Sequence, residues 1–316
     1  MLQNRDVGQL LVILTVAEQG SINKAAEVLF ISQPALTRAV REFETQIGGR
    51  VFERGAKGVK LTDLGDAIVD HARAIRAEFQ GAIRDIEHIR LGTRRHLFVG
   101  AAQYHPVTLL ADALAKTMAS NPEVMLHLRY GAPDELVAWL DHGAVEVVLG
   151  PLLAGEEARG YRQEVIFYDE LAIYCGPGHP LGCAPTVSVD ALHDAEWVLG
   201  PPGSFVRERV EGLFHNEGRH LPKVRLEIDD VATRRALVSQ TDYVSAFQRN
   251  QVQREVEAGL VVAVDYQWPQ DERAIGATLL APASDLVREL IDTLRRQYHA
   301  GGMRVSAQAR APGPVG

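Results

Sequence analysis

The sequence predicts an α/β protein made of a small N-terminal head, one long helix and two lobes in which strands and helices alternate. Three observations support this order. Residues 1–62 combine helical periodicities with one short alternating stretch, and residues 63–92 carry a continuous helical pattern. From Leu97 onward, short apolar runs alternate with amphipathic stretches, which is typical of a sheet covered by helices. With 316 residues, the chain is long enough for two or three folding units.

The first predicted helix runs from Val7 to Gln19. One face of this helix is apolar and is expected to form the core of the head, through Val7, Leu10, Leu11, Leu14 and Ala17. Gly20 can close the helix, because glycine adopts the left-handed conformation without strain.

The stretch from Ser21 to Gly48 predicts two more helices joined by a short turn. Ser32 stands where an N-cap belongs, and Pro34 suits the first turn of a helix, where a missing N–H group costs little. Apolar residues recur at helical spacing and are expected to point inward, namely Leu36, Val40, Phe43 and Ile47. The other face carries amide, hydroxyl and guanidinium groups, namely Gln33, Thr37, Arg38 and Arg41. Such groups pair with base edges and phosphates, so this stretch is a candidate helix-turn-helix; a plain amphipathic helix pair is the alternative.

A short β-hairpin, or wing, is predicted from Arg50 to Leu61, around two glycines. Its basic residues Arg54, Lys57 and Lys60 can reach phosphates or a minor groove, although a solvated basic loop is the alternative. The whole chain has a net charge of −8, but residues 32–60 hold six basic and three acidic residues. Attraction to phosphate is screened beyond about 8–10 Å, so a basic head on an acidic body remains compatible with DNA binding.

A long helix is predicted from Asp63 to about Leu91, with Thr62 as its N-cap. Its apolar positions follow a heptad pattern with one stutter: Leu64, Ile68, His71, Ile75, Phe79, Ala82, Ile86 and Ile89. We expect this seam to pair with the same helix of a second subunit, mainly through Leu64, Ile68, Ile75, Phe79, Ile86 and Ile89. Packing of the helix on its own chain is the alternative.

The stretch from Ala25 to Glu44 resembles the N-terminal domain of LysR-type transcriptional regulators, through the letters A-A-E-V-L-F-I-S-Q-P-A-L-T-R-A-V-R-E-F-E. The segments G-G-R-V-F-E-R-G and L-T-D-L-G that follow are similar to the family's continuation. The resemblance implies a winged helix-turn-helix and a linker-helix dimer or tetramer that binds double-stranded DNA at an interrupted palindrome and acts on RNA polymerase. It places the DNA contacts at Ser32, Gln33, Pro34, Thr37, Arg38, Arg41, Arg54, Lys57 and Lys60.

The remaining chain is expected to form a regulatory domain over residues 93–300. Lobe I would comprise about residues 93–164 and 269–300, and lobe II about residues 165–268, with residues 301–316 as a disordered tail. Among the predicted strands are Leu97–Ala101, Val124–Tyr130, Val145–Leu149, Val165–Cys175, Trp197–Leu199, Val224–Ile228, Tyr243–Phe247, Leu260–Val264 and Ala274–Leu280. Two crossings between two α/β lobes resemble the periplasmic-binding-protein type II fold of the family's sensor domain.

Three loops are candidates for binding a small-molecule effector, because ligands of open α/β lobes bind beyond strand ends and beside helix N-termini. The loops contain Ala102, Gln103 and Tyr104; Pro202, Gly203, Ser204 and Phe205; and Phe247 and Gln248. Ser204 can offer a hydroxyl and an N–H group to a carboxylate, and Tyr104 and Phe205 could sandwich a flat body. The resemblance implies a small organic acid bound between the lobes, and the bulky first loop favours an aromatic or hydroxylated one.

Several classes of protein are disfavoured by what the sequence lacks. No long apolar run or signal peptide is evident, so a cytoplasmic protein is expected. We find no catalytic motif, no cofactor motif and no metal-ligand set, which argues against an enzyme. The segment 176–180, which contains His179, is expected to be a turn rather than a metal site. A solute-binding component and an enzyme with a DNA-binding head remain the alternatives.

The two cysteines, Cys175 and Cys183, are too few for a disulfide framework. Thiol-sensing members of the resembled family carry their reactive pair in a region that matches about Pro201 to Gly212 here, and this segment has no cysteine. Peroxide sensing is therefore disfavoured.

Overall fold

The computed structural model describes residues 6–55, 58–91, 95–102, 105, 107–266, 268, 272–280 and 282–302. The chain divides into two compact units. The first comprises Met1–Gln103, Ala113–Glu164 and Gly276–Thr293, and the second comprises Tyr104–Asp112, Val165–Ile275 and Leu294–Gly316. The head, the long helix and the first lobe thus belong to the first unit, and most of the second lobe belongs to the second.

The head contains three helices followed by a hairpin: α1 Asp6–Gln19, α2 Ile22–Val28, α3 Gln33–Ile47, β1 Phe52–Gly55 and β2 Gly58–Leu61. Its core contains Ile13, Leu14 and Val16 of α1, together with Leu36 and Phe43 of α3. Val7, which we predicted on the packed face of α1, is exposed instead. The reason is that α1 is apolar on nearly every side, so its periodicity does not identify the buried face.

The long helix α4 spans Asp63–Leu91, as predicted. Thr62 caps it, because the Thr62 hydroxyl accepts a hydrogen bond of 3.0 Å from the Gly65 N–H group. The first half of α4 also contributes to the core of the head, where Val69 and Ala72 are buried. Part of this helix therefore packs on its own chain.

The first lobe continues with β3 Arg95–Ala101, α5 Val107–Ser120, β4 Val124–Tyr130, α6 Pro133–Asp141 and β5 Val147–Pro151, followed by a single 3-10 turn, Gly155–Ala158. Strand β3 lies between β4 and β5 and is parallel to both. This is the parallel arrangement that alternating strands and helices predict: α5 connects the neighbouring strands β3 and β4, and α6 returns the chain across β3 to β5.

The remaining elements are β6 Arg162–Cys175, α7 Pro180–Cys183, α8 Val189–Asp194, β7 Glu196–Leu199, α9 Phe205–Asn216, β8 Lys223–Glu227, α10 Val231–Gln240, β9 Ser245–Gln248, α11 Arg249–Glu257, β10 Val262–Ala263, β11 Glu272–Leu279 and α12 Asp285–Ala300. In the second unit, β9 and β10 both pair with β6 in the antiparallel sense. Strand β7 pairs with β8 in parallel.

Most predicted elements are present, with shifted ends. Strand β6 begins at Arg162 rather than Val165, and β9 runs to Gln248 rather than ending at Phe247. The short helices α7 and α8 were not predicted. His179 forms the N-cap of α7, where its Nδ1 atom accepts a hydrogen bond from the Leu181 N–H group. None of the helices found in the described part of the chain is long and apolar enough to cross a bilayer.

Candidate nucleic-acid interface and ligand site

Helix α3 is held in place by a capped start, a glycine end and an apolar face. The Ser32 hydroxyl accepts a hydrogen bond of 3.4 Å from the Ala35 N–H group, and Pro34 occupies the first turn. Gly48 ends the helix with a φ of 74°, a left-handed conformation that glycine adopts without strain. Because Leu36, Val40 and Phe43 are buried in the core of the head, the orientation of the helix is determined by packing.

The outer face of α3 presents the polar side chains that we predicted. Gln33, Pro34, Arg38 and Arg41 are exposed, and the Gln33 amide donates a hydrogen bond of 2.9 Å to the Thr37 hydroxyl. Arg38 pairs with Glu42 at 2.8 Å, but 82% of the Arg38 side chain remains exposed. An exposed ion pair of this kind contributes little to stability, so the guanidinium can exchange Glu42 for another acceptor at small cost.

The wing is tied to α3 by Glu44, a residue that we did not single out from the sequence. One Glu44 carboxylate oxygen accepts hydrogen bonds from the N–H groups of Val51 at 2.8 Å and Phe52 at 3.2 Å. Strands β1 and β2 form the expected antiparallel hairpin, and Lys60 is exposed on it. Lys57 and the side chain of Arg54 lie outside the described residues.

The wing also contacts the end of α1. The Val59 N–H group donates a hydrogen bond of 3.0 Å to the Gly20 carbonyl oxygen. Gly58 has a φ of 145°, and a Cβ atom there would lie 2.1 Å from the same oxygen. Glycine is therefore required at position 58 for the wing to approach the end of α1 this closely.

Helix α4 exposes much of the apolar seam that we predicted. Leu64, Phe79 and Ile86 are exposed, with 57% of Phe79 and 64% of Ile86 accessible. Ile68 and Ile75 are half-buried, and the side chain of Ile89 lies outside the described residues. Ile83, which is not one of the predicted seam positions, is also exposed.

In the second lobe, the loop before α9 closes on itself. Ser204 is the N-cap residue of α9, but both its N–H group, at 3.1 Å, and its hydroxyl, at 2.8 Å, donate to the Pro201 carbonyl oxygen. The hydroxyl makes no cap hydrogen bond to the helix within the described structure. Both Ser204 donors that we assigned to a carboxylate thus form hydrogen bonds within the loop. The Ser204 side chain does not cap the first N–H groups of α9.

The loop residues around Ser204 leave the backbone accessible. Pro202 and Gly203 are exposed, and Gly203 has a φ of 82°. A Cβ atom added at Gly203 would have no heavy atom of the described residues within 4 Å. A ligand can therefore approach the backbone closely at this point.

Gln248 and Phe247 lie on opposite faces of the sheet. Gln248 pairs with Leu171 of β6, and Phe247 pairs with Ala172. Because side chains alternate along a strand, Gln248 shares the face of Leu171, against whose cluster Phe205 packs. Phe247 is fully buried in the cluster on the other face. The structure therefore brings Gln248 and Phe205 to one face and buries Phe247 in the cluster on the other, and an effector contact at Phe247 stays a prediction.

Gln248 is almost fully buried, and within the described residues neither of its amide atoms has a hydrogen-bond partner. Asp169 lies on the same face of β6, two residues from Leu171. Its carboxylate accepts hydrogen bonds from the Glu170 N–H group, at 3.0 Å, and from the Asn250 amide. Burial raises the pKa of Asp169 to about 7. Buried polar groups of this kind are costly unless they are paired, and they mark candidate ligand sites.

Two arginines lie close to the Phe205 ring, and the sequence did not indicate either of them. The guanidinium carbon of Arg273 lies 3.8 Å from the ring centroid, and that of Arg209 lies 5.2 Å from it. Arg273 also lowers the pKa of Asp169 through its charge, against the larger effect of burial. Arg273 lies on β11, far from Phe205 in sequence, so no local pattern could reveal the contact.

The first predicted effector loop is described in part. Ala102 is buried, and its N–H group donates a hydrogen bond of 2.8 Å to the Leu149 carbonyl oxygen. Gln103 and Tyr104 lie outside the described residues.

Comparison with known proteins identifies the family. Residues 7–66 match the model of the bacterial regulatory helix-turn-helix protein, lysR family. Residues 90–299 match the model of the LysR substrate binding domain. This chain belongs to the LysR family. It is accordingly a DNA-binding transcriptional regulator with an effector-binding domain.

Two relatives of this LysR regulator are named as HTH-type transcriptional regulators. The HTH-type transcriptional regulator GbpR of Azospirillum brasilense is 28% identical over 242 residues, which cover 76% of this chain and 70% of GbpR. The uncharacterized HTH-type transcriptional regulator YdcI of Escherichia coli K12 is 27% identical, over 79% of this chain and 81% of YdcI. Because these relatives are transcriptional regulators, the prediction that the chain is not an enzyme is confirmed.

Solved structures support the fold of the LysR regulator. Full-length BenM has a TM-score of 0.57 at 20% identity and covers 96% of this chain and 99% of its own. Full-length OxyR from Pseudomonas aeruginosa has a TM-score of 0.53 at 21% identity, with coverages of 91% and 99%. At these identities, the likeness concerns the fold alone.

The cysteines of this LysR regulator lie at different depths. Cys175, at the end of β6, is buried, and Cys183 is exposed. Burial raises the pKa of the Cys175 thiol to about 11, which keeps it protonated and unreactive at neutral pH. That the regulator does not sense peroxide stays a prediction.

Proposed function

We propose that this regulator binds its operator with the exposed face of α3 in the major groove. The observation that carries this proposal is that Gln33, Arg38 and Arg41 project from a helix whose opposite face is buried. Guanidinium and amide groups in such a position read guanine and adenine edges. We place Ser32, Pro34 and Thr37 near the backbone at the helix start, and Arg54, Lys57 and Lys60 of the wing near neighbouring phosphates.

The test is a salt series of binding to DNA from the region upstream of the regulator's own gene, with Gln33→Ala/Arg38→Ala as the variant. We expect tight binding by the wild-type chain with a steep salt dependence, and a loss of affinity in the variant. Losing one guanine contact costs about 1–3 kcal/mol of binding free energy.

Glu42→Ala is the matched control, because it removes the same Arg38 ion pair and leaves the guanidinium in place. The control should bind DNA at least as tightly as wild type, since Arg38 loses a competing acceptor. Equal binding by the double-alanine variant and the wild type would refute the proposed interface.

We propose further that the effector is a small organic acid with a flat, aromatic or hydroxylated body, held in the second lobe. The proximity of Arg273 and Arg209 to Phe205 supports this, because the guanidiniums offer charge to a carboxylate and the aromatic ring offers an apolar contact to a flat body. The uncapped start of α9, next to Gly203, adds N–H donors for the same anion. The Gln248 amide would bind a hydroxyl group. An effector position between the lobes, with Ala102, Gln103 and Tyr104, stays a prediction.

The effector proposal can be tested with benzoate, 4-hydroxybenzoate, succinate and benzamide as probes of thermal stability. We expect the aromatic acids to raise the melting temperature, because a ligand that binds only the folded state stabilises it by mass action. Arg273→Gln should abolish the rise, whereas Arg225→Gln, at an exposed arginine on β8, should not. An equal response to benzamide would rule out a carboxylate as the recognised group.

We also propose that two chains associate through α4, so that two heads contact one interrupted palindrome and, in the cytoplasm, control access of RNA polymerase. The exposed seam of Leu64, Phe79 and Ile86 supports this proposal. An exposed apolar stripe at heptad spacing is unfavourable unless it is covered by a partner.

A further inference from the structure

Phe30, in the turn between α2 and α3, has an unusual backbone conformation. Its φ is 54°, and among the described residues it is the one non-glycine residue with a positive φ. The Phe30 N–H group donates to the Glu27 carbonyl at 3.2 Å, and the Ile31 N–H group donates to the Ala26 carbonyl at 3.0 Å. This pair of hydrogen bonds is a Schellman motif, whose left-handed position is normally occupied by glycine or asparagine.

The other helices of the head show what the turn would ordinarily contain. Gly20 follows α1 with a φ of 58°, and Gly48 follows α3 with a φ of 74°. A left-handed conformation brings the Cβ atom of any other residue close to the following carbonyl oxygen, which costs energy. The head therefore closes two helices without strain and one with strain, at Phe30.

The side chain does not compensate for this cost by packing. Phe30 is 96% exposed, and its neighbours Val28 and Ile31 are exposed as well. A strained backbone that carries an exposed aromatic ring stabilises neither the turn nor the core. Strained backbone conformations of this kind cluster at active sites, ligand-contacting positions and switch regions.

The position of Phe30 identifies the surface that it would contact. It lies two residues before the cap residue Ser32 and three before Gln33, so its Cα atom is within about 11 Å of that of Gln33. Phe30 therefore lies at the same end of α3 as Gln33, one of the residues assigned to base edges, and its exposed ring is available there. The apolar feature of the major groove is the C5 methyl group of thymine, which phenylalanine side chains contact.

We propose that Phe30 is a DNA-contacting residue whose ring packs against thymine methyl groups at the start of the recognition helix. This inference rests on the proposed placement of α3 in the major groove. It adds an apolar, salt-independent contribution to an interface whose other contacts are polar or charged.

Two variants separate the ring from the strain. Phe30→Ala removes the ring and keeps a residue that disfavours positive φ, whereas Phe30→Asn removes the ring and suits positive φ. We expect both full-length variants to bind operator DNA about fivefold more weakly, because each forfeits partial burial of a phenylalanine side chain. The slope of affinity against salt concentration should not change, since no charge is lost. Phe30→Asn alone should raise the melting temperature, by about 2–4 °C.

Thymine is tested by replacing the operator thymines with deoxyuridine, which lacks only the C5 methyl group. Wild type should lose affinity on this duplex, and the two Phe30 variants should lose little more. Val107→Ala, at an exposed apolar residue remote in sequence from the head, should behave as wild type on both duplexes.

Other outcomes overturn the proposal in distinguishable ways. If the Phe30 variants bind the thymine operator as tightly as wild type, Phe30 does not contact DNA. If those variants also fail to control transcription, Phe30 contacts a protein partner instead. If wild type and both Phe30 variants lose the same affinity on the deoxyuridine duplex, a contact between Phe30 and the thymine methyl groups is excluded. If wild type does not select the operator at all, the proposed function fails together with this inference.

Discussion

Asp169 shows how much one residue of the second lobe depends on its surroundings. Its side chain is 3% exposed and accepts hydrogen bonds from Glu170 and Asn250. Burial raises its pKa from 3.8 to about 7, while those hydrogen bonds and the charge of Arg273 act in the opposite direction. A carboxyl group whose pKa is raised by folding binds its proton more tightly in the folded chain. The Asp169 carboxyl therefore contributes fully to stability at pH values below its pKa in the unfolded chain. This contribution is lost as the pH rises through its pKa in the folded chain.

We expect the free energy of unfolding to fall by about 2–4 kcal/mol through this group between pH 4 and pH 7, since one pKa unit corresponds to about 1.4 kcal/mol. Urea denaturation at a series of pH values measures this change; tryptophan fluorescence, to which buried Trp197 contributes, follows the unfolding. Asp169→Asn lacks the titrating group, so its stability should decrease less over this range. Parallel pH profiles for the two proteins would contradict the assignment.

At the scale of elements, the junction between the head and α4 depends on close contacts around Thr62. The Thr62 hydroxyl donates to the Arg50 carbonyl oxygen at 2.7 Å and also caps α4. In the first turn of α4, a Cβ atom at Gly65 would lie 2.2 Å from the Val51 carbonyl oxygen. The absence of a side chain at Gly65 therefore allows α4 to start directly against the wing. The motif L-T-D-L-G thus combines a cap residue with a close approach.

Gly65→Ala should destabilise the chain by about 1–3 kcal/mol, because the added methyl group overpacks a contact with rigid backbone. Gly8→Ala is the matched control, because Gly8 also lies in a helix but has no described heavy atom within 4 Å of the added carbon. The control should gain about 0.5–1 kcal/mol from better helix propensity. Chemical denaturation of both full-length variants gives the comparison, and equal stabilities would show that the close approach is unimportant.

At the scale of the whole molecule, α4 connects the head to the regulatory domain and also presents an apolar surface. Its first half is covered by its own head, where Val69 and Ala72 are buried. Phe79, Ile83 and Ile86 of its second half are exposed. One face of α4 thus packs on its own chain, and pairing of the exposed face with a second subunit stays a prediction. The exposed face is the one that we assign to a second subunit.

Phe79→Glu/Ile86→Glu should convert the dimer to a monomer, because charges at the seam are costly to bury without partners. Light scattering measures the mass, and circular dichroism confirms that the helix content is retained. Affinity for a two-site operator should fall by at least about a hundredfold, whereas binding to a single half-site should not change. Leu260→Glu, at an exposed apolar residue of the second lobe, is the control. A double variant that remains a dimer would exclude this seam.

Several features of the head could be predicted because they depend on residues close together in the chain. The Ser32 cap, the Pro34 first turn and the Gly48 end act within one or two turns of α3. The wing hairpin and the start of α4 at Thr62 likewise follow from neighbouring residues. Phe30 is the exception in this region, because phenylalanine does not indicate the left-handed conformation that it adopts.

The candidate effector site could be predicted only in part. Sequence pattern located the loop before α9 and the end of β9, since strand and helix ends follow from periodicity. Pairing with β6 decided that Gln248, and not Phe247, shares a face with Phe205, because a shift of one residue reverses every side chain of a strand. The approach of Arg273 to Phe205 joins β11 to α9. The helices, strands and caps thus follow from preferences of residues that are neighbours in the chain. Which residues meet at the candidate site depends on packing between residues distant in the chain, and no local pattern predicts that packing.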